Sequence, residues 1–138
     1  MAAQLGRQAE QHAESRMAKT ILIVDDEPEW IQMLGMRLAR EGYHIEAGFD
    51  ALQAVGRAVQ LKPQLVLLDL MMPGGGGFVA LKNIRANAKV FGVPVIVVSA
   101  RGDRDAKETA EGLGISGFFV KPVHMGRFMT RIGQVLRD

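Results

Sequence analysis

Five residues that could do chemistry together stand at the ends of short apolar segments. Asp25 and Asp26 follow the first such segment, and Asp69 follows the third. Ser99 ends the fourth, and Lys121 follows the fifth. If the segments are parallel strands, their carboxyl ends meet at one edge of the sheet, so we expect these side chains to lie close together.

The chemistry that such a cluster suits is the transfer of a phosphoryl group onto a carboxylate. Three neighbouring carboxylates would repel each other unless a cation neutralised them, and Mg²⁺ prefers oxygen ligands and retained water. No His or Cys adjoins the three carboxylates in the sequence, so zinc and copper fit poorly. The transferred group spreads its charge over three oxygens, which we expect Mg²⁺, Lys121 and the Ser99 hydroxyl to bind. Asp69 would be the nucleophile, since it lies between the metal side and the lysine side.

Each of these residues also has a plainer explanation. An Asp pair after a strand often caps the next helix, and a single Asp, Ser or Lys in a loop is usually only hydrated. The joint arrival of complementary groups at one edge favours a functional site over coincidence.

The segments that lead to these residues have the composition of buried strands. The strand predictions cover residues 20–24, 44–47, 65–68, 95–98 and 117–120. The first, third and fourth are apolar throughout, which is typical of strands covered on both faces of a parallel sheet. The second alternates more, and we expect it near an edge of the sheet.

Helical periodicity fills the intervals between the strands. Apolar residues recur at helical spacing in five stretches: Ile31, Leu34 and Leu38; Leu52, Val55 and Val59; Phe78, Leu81 and Ile84; Ala106, Ala110 and Leu113; and Met125, Phe128, Met129, Ile132, Val135 and Leu136. Asp50 and Asp103 are predicted N-caps, and Gly114 a predicted helix end. Strict alternation of strands and helices predicts βαβ units and therefore a doubly wound parallel sheet with helices on both faces.

Composition narrows the class of protein. A chain of 138 residues suits one domain, and 48% hydrophobic with 23% charged residues indicates a globular protein. No apolar run is long enough for a membrane span, and the absence of cysteine excludes disulfides, thiolate catalysis and zinc–thiolate sites. A cytoplasmic location agrees with that absence. The net charge of +2, without a long basic block, disfavours nucleic-acid binding by this chain alone.

The first 18 residues stand outside the strand–helix pattern. Residues 1–16 are polar, carry both signs of charge and lack the apolar core of a secretory signal. Leu5 and Met17 are the only large apolar residues there besides the initiating methionine. We predict a mobile N-terminal extension over 1–18, which could be a linker or a remnant of cloning, followed by one domain over 19–138.

Four short motifs resemble the signatures of response regulator receiver domains. They are Val-Asp-Asp-Glu-Pro at 24–28, Leu-Asp-Leu-Met-Met-Pro at 68–73, Val-Ser-Ala at 98–100 and Val-Lys-Pro at 120–122. Their order and spacing also fit that family, over about residues 18–138. The resemblance implies a single-domain, flavodoxin-like α/β fold, with a five-stranded parallel sheet in the order 2-1-3-4-5 and five helices.

The resemblance implies a role for each acidic residue. Asp69 would be the phosphoacceptor and also a metal ligand. Asp26 would bind Mg²⁺ directly, whereas Asp25 would act mainly through water. The backbone carbonyl of Met71 would be the third protein ligand, and Mn²⁺ could replace Mg²⁺. The phosphoryl donor would be a phosphohistidine on a histidine kinase or a histidine phosphotransfer protein.

The same resemblance implies a switch. Ser99 would move to contact the phosphoryl group, Lys121 would pair with it, and Phe118 would be the aromatic residue that turns inward as Ser99 moves. The peptide between Lys121 and Pro122 would be cis. Phosphorylation would bias two arrangements that already exist in the unmodified protein.

Three departures from the family's pattern affect that expectation. Phe118 stands where Tyr is more common and has no hydroxyl, and Ser99 replaces the commoner Thr. The glycine run at 74–77 predicts a mobile loop beside the acceptor, because glycine has the largest backbone freedom. Met71 and Arg101, each two residues after a site residue, are predicted to slow hydrolysis of the phosphoryl group.

The readout of the switch is predicted on residues 103–137. Arg104, Lys107, Arg127 and Arg131 could pair there with a second subunit or an effector, or could simply be hydrated.

Two other hypotheses remain beside the receiver. One is a Mg²⁺-dependent, phosphatase-like α/β enzyme with an Asp nucleophile. No Walker glycine–lysine loop follows the first strand, and the chain is short for the extra domain that a substrate pocket needs. The other is a degenerate receiver used only for protein contacts, against which the complete set of site residues argues. We expect no enzymatic activity beyond the protein's own phosphorylation and dephosphorylation.

Overall fold

A computed structural model of the chain describes residues 19–72 and 76–137, in which five strands and five helices alternate. The strands are β1 (Thr20–Val24), β2 (His44–Gly48), β3 (Leu65–Leu68), β4 (Val95–Ser99) and β5 (Gly117–Val120). The helices are α1 (Pro28–Arg40), α2 (Ala51–Leu61), α3 (Gly76–Ala86), α4 (Arg104–Leu113) and α5 (Met125–Arg137). The strand predictions are confirmed, and β2 and β4 each extend one residue further than predicted.

All five strands are parallel and form one sheet in the order β2-β1-β3-β4-β5. The predicted flavodoxin-like fold, with its strand order and single domain, is confirmed. The central strands β1, β3 and β4 are buried almost throughout, as their unbroken apolar composition predicted, and β2 lies at an edge. Val24 pairs with Leu68, and Ser99 pairs with Val120, so the residues that follow β1, β3 and β5 emerge at the same edge.

Helices cover both faces of the sheet and create two hydrophobic cores. On one face, α1 and α5 bury Leu34, Leu38 and Phe128 against side chains of β1, β3 and β4. On the other face, α2, α3 and α4 bury residues such as Leu81 and Ala106. Because the sheet is covered on both faces, its carboxyl edge is a place where strand ends can meet solvent.

The helical periodicity locates the helices correctly but misjudges one helix face. In α2, the residues that face the core are three alanines, Ala51, Ala54 and Ala58. Leu52, which begins the apolar stripe at helical spacing, is 82% exposed and does not face the core. Val55 and Val59 pack only partly against the core. A pattern of large apolar residues does not reveal a helix that approaches its sheet through alanine.

Side-chain caps fix the starts of two helices. Asp50 accepts a hydrogen bond from the Gln53 N–H (2.9 Å), and Asp103 accepts one from the Ala106 N–H (3.1 Å), which confirms both predicted N-caps. Gly114 caps the end of α4, as predicted. The peptide between residues 121 and 122 is cis, as the resemblance implied.

The start of α3 depends on glycine. A Cβ added to Gly77 would lie 2.0 Å from the backbone oxygen of Asp69, and Gly76 has a left-handed φ of 75°. Gly77 also donates its N–H to the carbonyl of Leu70 (2.9 Å), which holds the helix against the end of β3. Of the predicted mobile loop over 74–77, the structure describes Gly76 and Gly77, and they begin α3. Residues 74 and 75, like the predicted extension over 1–18, lie outside the described residues.

Within the two described ranges, no helix has the length and apolar character needed to cross a bilayer.

Candidate functional site

The described residues include three buried polar side chains, and all three belong to the predicted site: Asp25, Asp69 and Ser99. They stand at the carboxyl ends of β1, β3 and β4. The Asp25 N–H donates to the carbonyl of Gly48 (3.1 Å), and the Asp69 N–H donates to that of Val24 (3.0 Å). Sheet-like hydrogen bonding therefore continues past the strands and fixes the backbone of both aspartates.

Lys121 brings the acidic residues together. Its Nζ lies 2.7 Å from Asp25 Oδ2, 3.1 Å from Glu27 Oε1 and 3.4 Å from Asp69 Oδ2. The lysine side chain is only 13% exposed. Its backbone N–H donates to the carbonyl of Ser99 (2.9 Å), so the pairing of β4 with β5 determines where the side chain begins. One ammonium thus pairs with two buried carboxylates and one exposed carboxylate, and it offsets part of the cost of burying the two.

Backbone amides bind the other oxygen of each buried aspartate. Asp25 Oδ1 accepts from the Glu27 N–H (2.9 Å), and Asp69 Oδ1 accepts from the Met71 N–H (2.9 Å). In both cases the N–H donor belongs to the residue two positions after the aspartate. These hydrogen bonds orient both Oδ2 atoms toward the Lys121 ammonium.

Burial and charge act in opposite directions on the site's pKa values. The pKa of Asp25 is raised: burial has the largest effect and the charge of Asp69 adds to it, against hydrogen bonds from Lys121 and the Glu27 N–H that lower this pKa. Burial alone would lower the pKa of Lys121, but hydrogen bonds to Asp25 and Glu27, with the charges of Asp25 and Asp69, outweigh it and raise that pKa. Lys121 is therefore a permanent cation at neutral pH, beside a carboxylate that is costly to ionise.

The acidic residues have the chemistry of a site for a hard cation. Asp25, Asp26, Glu27 and Asp69 each offer a carboxylate oxygen, and these oxygens lie within 4.8 Å of one another. Asp26 and Glu27 are exposed, so one side of the cluster is open to solvent. Oxygen ligands on an open side fit Mg²⁺, which keeps part of its water shell, and do not favour zinc or copper.

Ser99 and Phe118, the two predicted switch residues, lie on the neighbouring strands β4 and β5. The Ser99 hydroxyl is buried and accepts a hydrogen bond from the Arg101 N–H (3.2 Å). Phe118 lies on β5, three residues before Lys121, and packs partly against the core under α2, α3 and α4. Phe119 faces the opposite side and contacts the ring of Phe128, with 5.2 Å between centroids.

The two residues predicted to tune hydrolysis differ in placement. The Met71 side chain is 56% exposed next to the acceptor. The Arg101 guanidinium is paired with Asp103 (2.8 Å) and lies 5.5 Å from the centroid of the Phe78 ring. These contacts direct Arg101 toward the starts of α3 and α4, and they attach the β4–α4 loop to α3.

Sequence reasoning missed the roles of two residues at the start of α1. Glu27 was recognised only as part of the acidic motif, yet it contacts Lys121 and belongs to the acidic cluster. Trp30 had no predicted role, but its ring lies beneath the Lys121 ammonium, 5.0 Å from Nζ to centroid. A helix that begins at Pro28 returns its first turn toward the strand end, and this proximity is the signal that could have identified both residues.

Comparison with known proteins gives a consistent result. The family described as "Response regulator receiver domain" matches residues 21–133. The response regulator GtcR of Aneurinibacillus migulanus is 39% identical over 121 residues, which cover 88% of this chain and 49% of GtcR. The phosphate regulon transcriptional regulatory protein PhoB of Pseudomonas aeruginosa is 32% identical over 121 residues, which cover 88% of this chain and 53% of PhoB. This chain therefore spans about half the length of these curated relatives.

A solved structure extends the similarity to three dimensions. The CheX–CheY–BeF3–Mg²⁺ complex from Borrelia burgdorferi matches with a TM-score of 0.78 and 28% identity, over 85% of this chain and 88% of that one. The family match, the sequence relatives and the fold thus agree with one another, and the chain belongs to the response regulator receiver domain family of two-component signalling.

Proposed function

We propose that this chain is a phosphorylation-activated receiver that accepts a phosphoryl group on Asp69 from a phosphohistidine. The donor would be a histidine kinase or a histidine phosphotransfer protein, the partners with which receiver domains interact. The observation that carries the proposal is the pair of buried carboxylates, Asp25 and Asp69, that share the Lys121 ammonium at one sheet edge. A cytoplasmic location would follow from this role.

The transfer would use groups that the fold already orients. Asp69 Oδ2 would form the new P–O bond as the P–N bond of the phosphohistidine breaks, and the departing imidazole nitrogen would take a proton from solvent. Asp69 Oδ1 is bonded to the Met71 N–H, which leaves Oδ2 as the oxygen near the ammonium. Lys121 would then stabilise the negative charge on the phosphoryl oxygens, which is the main task of catalysis in such transfers.

Receiver domains bind Mg²⁺ in an acidic pocket, and the donor set here suits that ion. We propose Asp26 and Asp69 as direct ligands with the Met71 carbonyl, and Asp25 as a residue that acts mainly through water. The ion, when bound, would neutralise charge that develops on the phosphoryl group. Replacement of Mg²⁺ by Mn²⁺ stays a prediction.

The switch would start at Ser99 and Lys121. Phosphorylation adds about −1.5 to −2 charge at pH 7, next to a lysine that now contacts three carboxylates. We propose that the Ser99 hydroxyl exchanges its bond from the Arg101 N–H for a contact with the phosphoryl group. The β4–α4 loop would move with it, and Phe118 would turn inward.

Met71 and Arg101 are proposed to control the lifetime of the phosphoryl group by limiting access of water. Arg101 would have to leave Asp103 and Phe78 to cover the acceptor, so its effect would depend on the strength of those contacts. An unchanged dephosphorylation rate in Arg101→Ala would contradict this role.

The output would be read on α4, β5 and α5. Arg104, Lys107, Arg127 and Arg131 would offer pairing partners there to a second copy or an effector, although Arg104 and Lys107 now face Glu108 and Glu111 on their own helix. The relative PhoB is named as a transcriptional regulator, which supports transcription as one output of such a pathway. No observation favours the phosphatase-like alternative, and turnover beyond the protein's own phosphorylation cycle is not proposed.

The function is tested by intact-mass spectrometry after incubation with acetyl phosphate and Mg²⁺. We expect one added phosphoryl group on the wild-type protein and none on Asp69→Asn. Asp50→Asn is a matched control, because Asp50 caps α2 and lies outside the acidic cluster, and it should still be phosphorylated. An adduct that persists in Asp69→Asn, or none on the wild type, would contradict the proposal.

A further inference from the structure

The Lys121 ammonium has an aromatic neighbour as well as its carboxylates. The centroid of the Trp30 ring lies 5.0 Å from Nζ, within the distance at which an indole attracts a cation. Trp is the aromatic side chain that does so most strongly. The ammonium is therefore bound by Asp25, Glu27 and Asp69 and is also attracted to an indole ring.

The position of this ring is fixed by the fold. Trp30 is the third residue of α1, and Pro28 at the first position holds the backbone in a helical φ. The side chain is half-buried and packs against the core between the sheet and α1 with α5. The segment that supplies Asp25 and Glu27 thus also supplies the ring, and packing restrains the ring from swinging away.

A lysine at this place needs such restraint. Its side chain has four rotatable bonds and loses much rotamer freedom when it is ordered. An aromatic face attracts the charge and excludes water from one side of the ammonium, so it narrows the positions that Nζ can take. Nζ lies closer to Asp25 than to Asp69, at 2.7 Å and 3.4 Å, so a small displacement would remove it from the acceptor.

We propose that Trp30 is a positioning residue, which holds Lys121 beside Asp69 and thereby sets how fast the acceptor is phosphorylated. This inference rests on the proposed function. Trp30 does not touch the reacting atoms; it acts only through the lysine. Acetyl phosphate is a suitable donor for the test, because it needs no protein docking surface. In that reaction the Asp69 oxygen forms a P–O bond, the P–O bond to the acetyl group breaks, and acetate leaves.

The test compares phosphorylation rates in a double-mutant cycle. A cation–π contact of about 0.5–2 kcal/mol corresponds to a rate change of roughly two- to thirtyfold. We expect Trp30→Leu to slow phosphorylation by an amount in that range and Trp30→Phe, which keeps an aromatic face, to recover most of the rate. In the Lys121→Met background, Trp30→Leu should cause no further loss, because the cation that the ring positions is gone.

The outcomes separate this inference from the proposed function. No adduct on the wild type would overturn both. A wild-type adduct with an unaffected Trp30→Leu rate, or an equal loss with and without Lys121, would overturn the positioning role alone. Matching circular dichroism spectra and melting curves for Trp30→Leu, Trp30→Phe and the wild type would show that a rate difference among them is not a folding defect.

A second readout does not depend on phosphorylation. Trp30 is the single tryptophan of the chain, so its fluorescence reports on its surroundings without labelling. We expect Lys121→Met to change the emission maximum or intensity, and Lys107→Met, on the exposed face of α4, to leave them unchanged. Identical emission in the wild type and Lys121→Met would mean that the ammonium does not lie on the ring, and would overturn the inference.

Discussion

Replacing Lys121 with Met should destabilise the protein, because two buried carboxylates would lose their cation. The side chains of Asp25 and Asp69 are only 2% and 5% exposed. Removal of one partner from a buried ion pair costs about 3–5 kcal/mol. Since the open side of the cluster admits water, we expect the lower end of that range, about 3 kcal/mol at pH 8 in EDTA. For a domain of this size, such a loss lowers the melting temperature by about 10 °C.

The pH dependence of this loss identifies its cause. Burial already raises the pKa of Asp25, and removal of the ammonium should raise it further. Between the ordinary carboxyl pKa and the raised value, the folded variant binds more protons than the unfolded chain, so its stability increases as the pH falls through that window. The deficit relative to the wild type should therefore be smaller at pH 5 than at pH 8. Mg²⁺ should also reduce it, by supplying positive charge.

Thermal unfolding followed by circular dichroism measures this deficit. Lys107→Met is the matched control, because its Nζ is 4.0 Å from Glu111 and both side chains are more than half exposed. The control should change the free energy of unfolding by no more than about 0.5 kcal/mol. A Lys121→Met deficit as small as that of the control, or one of equal size at both pH values, would refute the electrostatic explanation.

Three further changes should give distinct results in the same unfolding assay. Gly77→Ala should lower the free energy of unfolding by more than about 3 kcal/mol or prevent folding, since its Cβ would lie 2.0 Å from a backbone oxygen. Its control is Gly56→Ala in α2, where an added Cβ has no neighbour within 4 Å, and this change should raise the free energy of unfolding by up to about 1 kcal/mol. Arg85→Lys should cost about 2 kcal/mol, because the guanidinium donates to four backbone carbonyls that one ammonium cannot reach together, while the exposed Lys82→Ala should be nearly neutral. Asp25→Asn should raise the melting temperature at pH 8 in EDTA. The raised pKa of Asp25 means that its ionised carboxylate destabilises the folded state at this pH, and Asn carries no charge. A melting temperature equal to or below that of the wild type would contradict this.

Much of the fold could be predicted from the sequence because unbroken apolar strands and periodic helices leave few arrangements. The strands around Ile23, Leu67 and Val97 are apolar on both faces, which requires helices on both sides of the sheet. The face of α2 that packs against the sheet could not be predicted. It is formed by alanines, whose side chains are less hydrophobic than the exposed side chain of Leu52.

The site was predictable to the extent that it depends on strand ends. Asp25, Asp69 and Lys121 each follow a strand directly, so the topology alone places them together. Contacts made by side chains that project from a helix could not be predicted from the sequence in the same way. The ring of Trp30 reaches Lys121 because of the angle at which α1 leaves β1, and sequence spacing does not specify that angle.

The most direct test of the central proposal is the location of the phosphoryl group on the chain. After incubation with acetyl phosphate and Mg²⁺, borohydride reduction converts an aspartyl phosphate into homoserine, which peptide mass spectrometry can locate. We expect homoserine at position 69 and unmodified aspartate at the neighbouring buried Asp25. Homoserine at Asp25, or aspartate retained at position 69, would contradict the assignment of Asp69 as the phosphoacceptor.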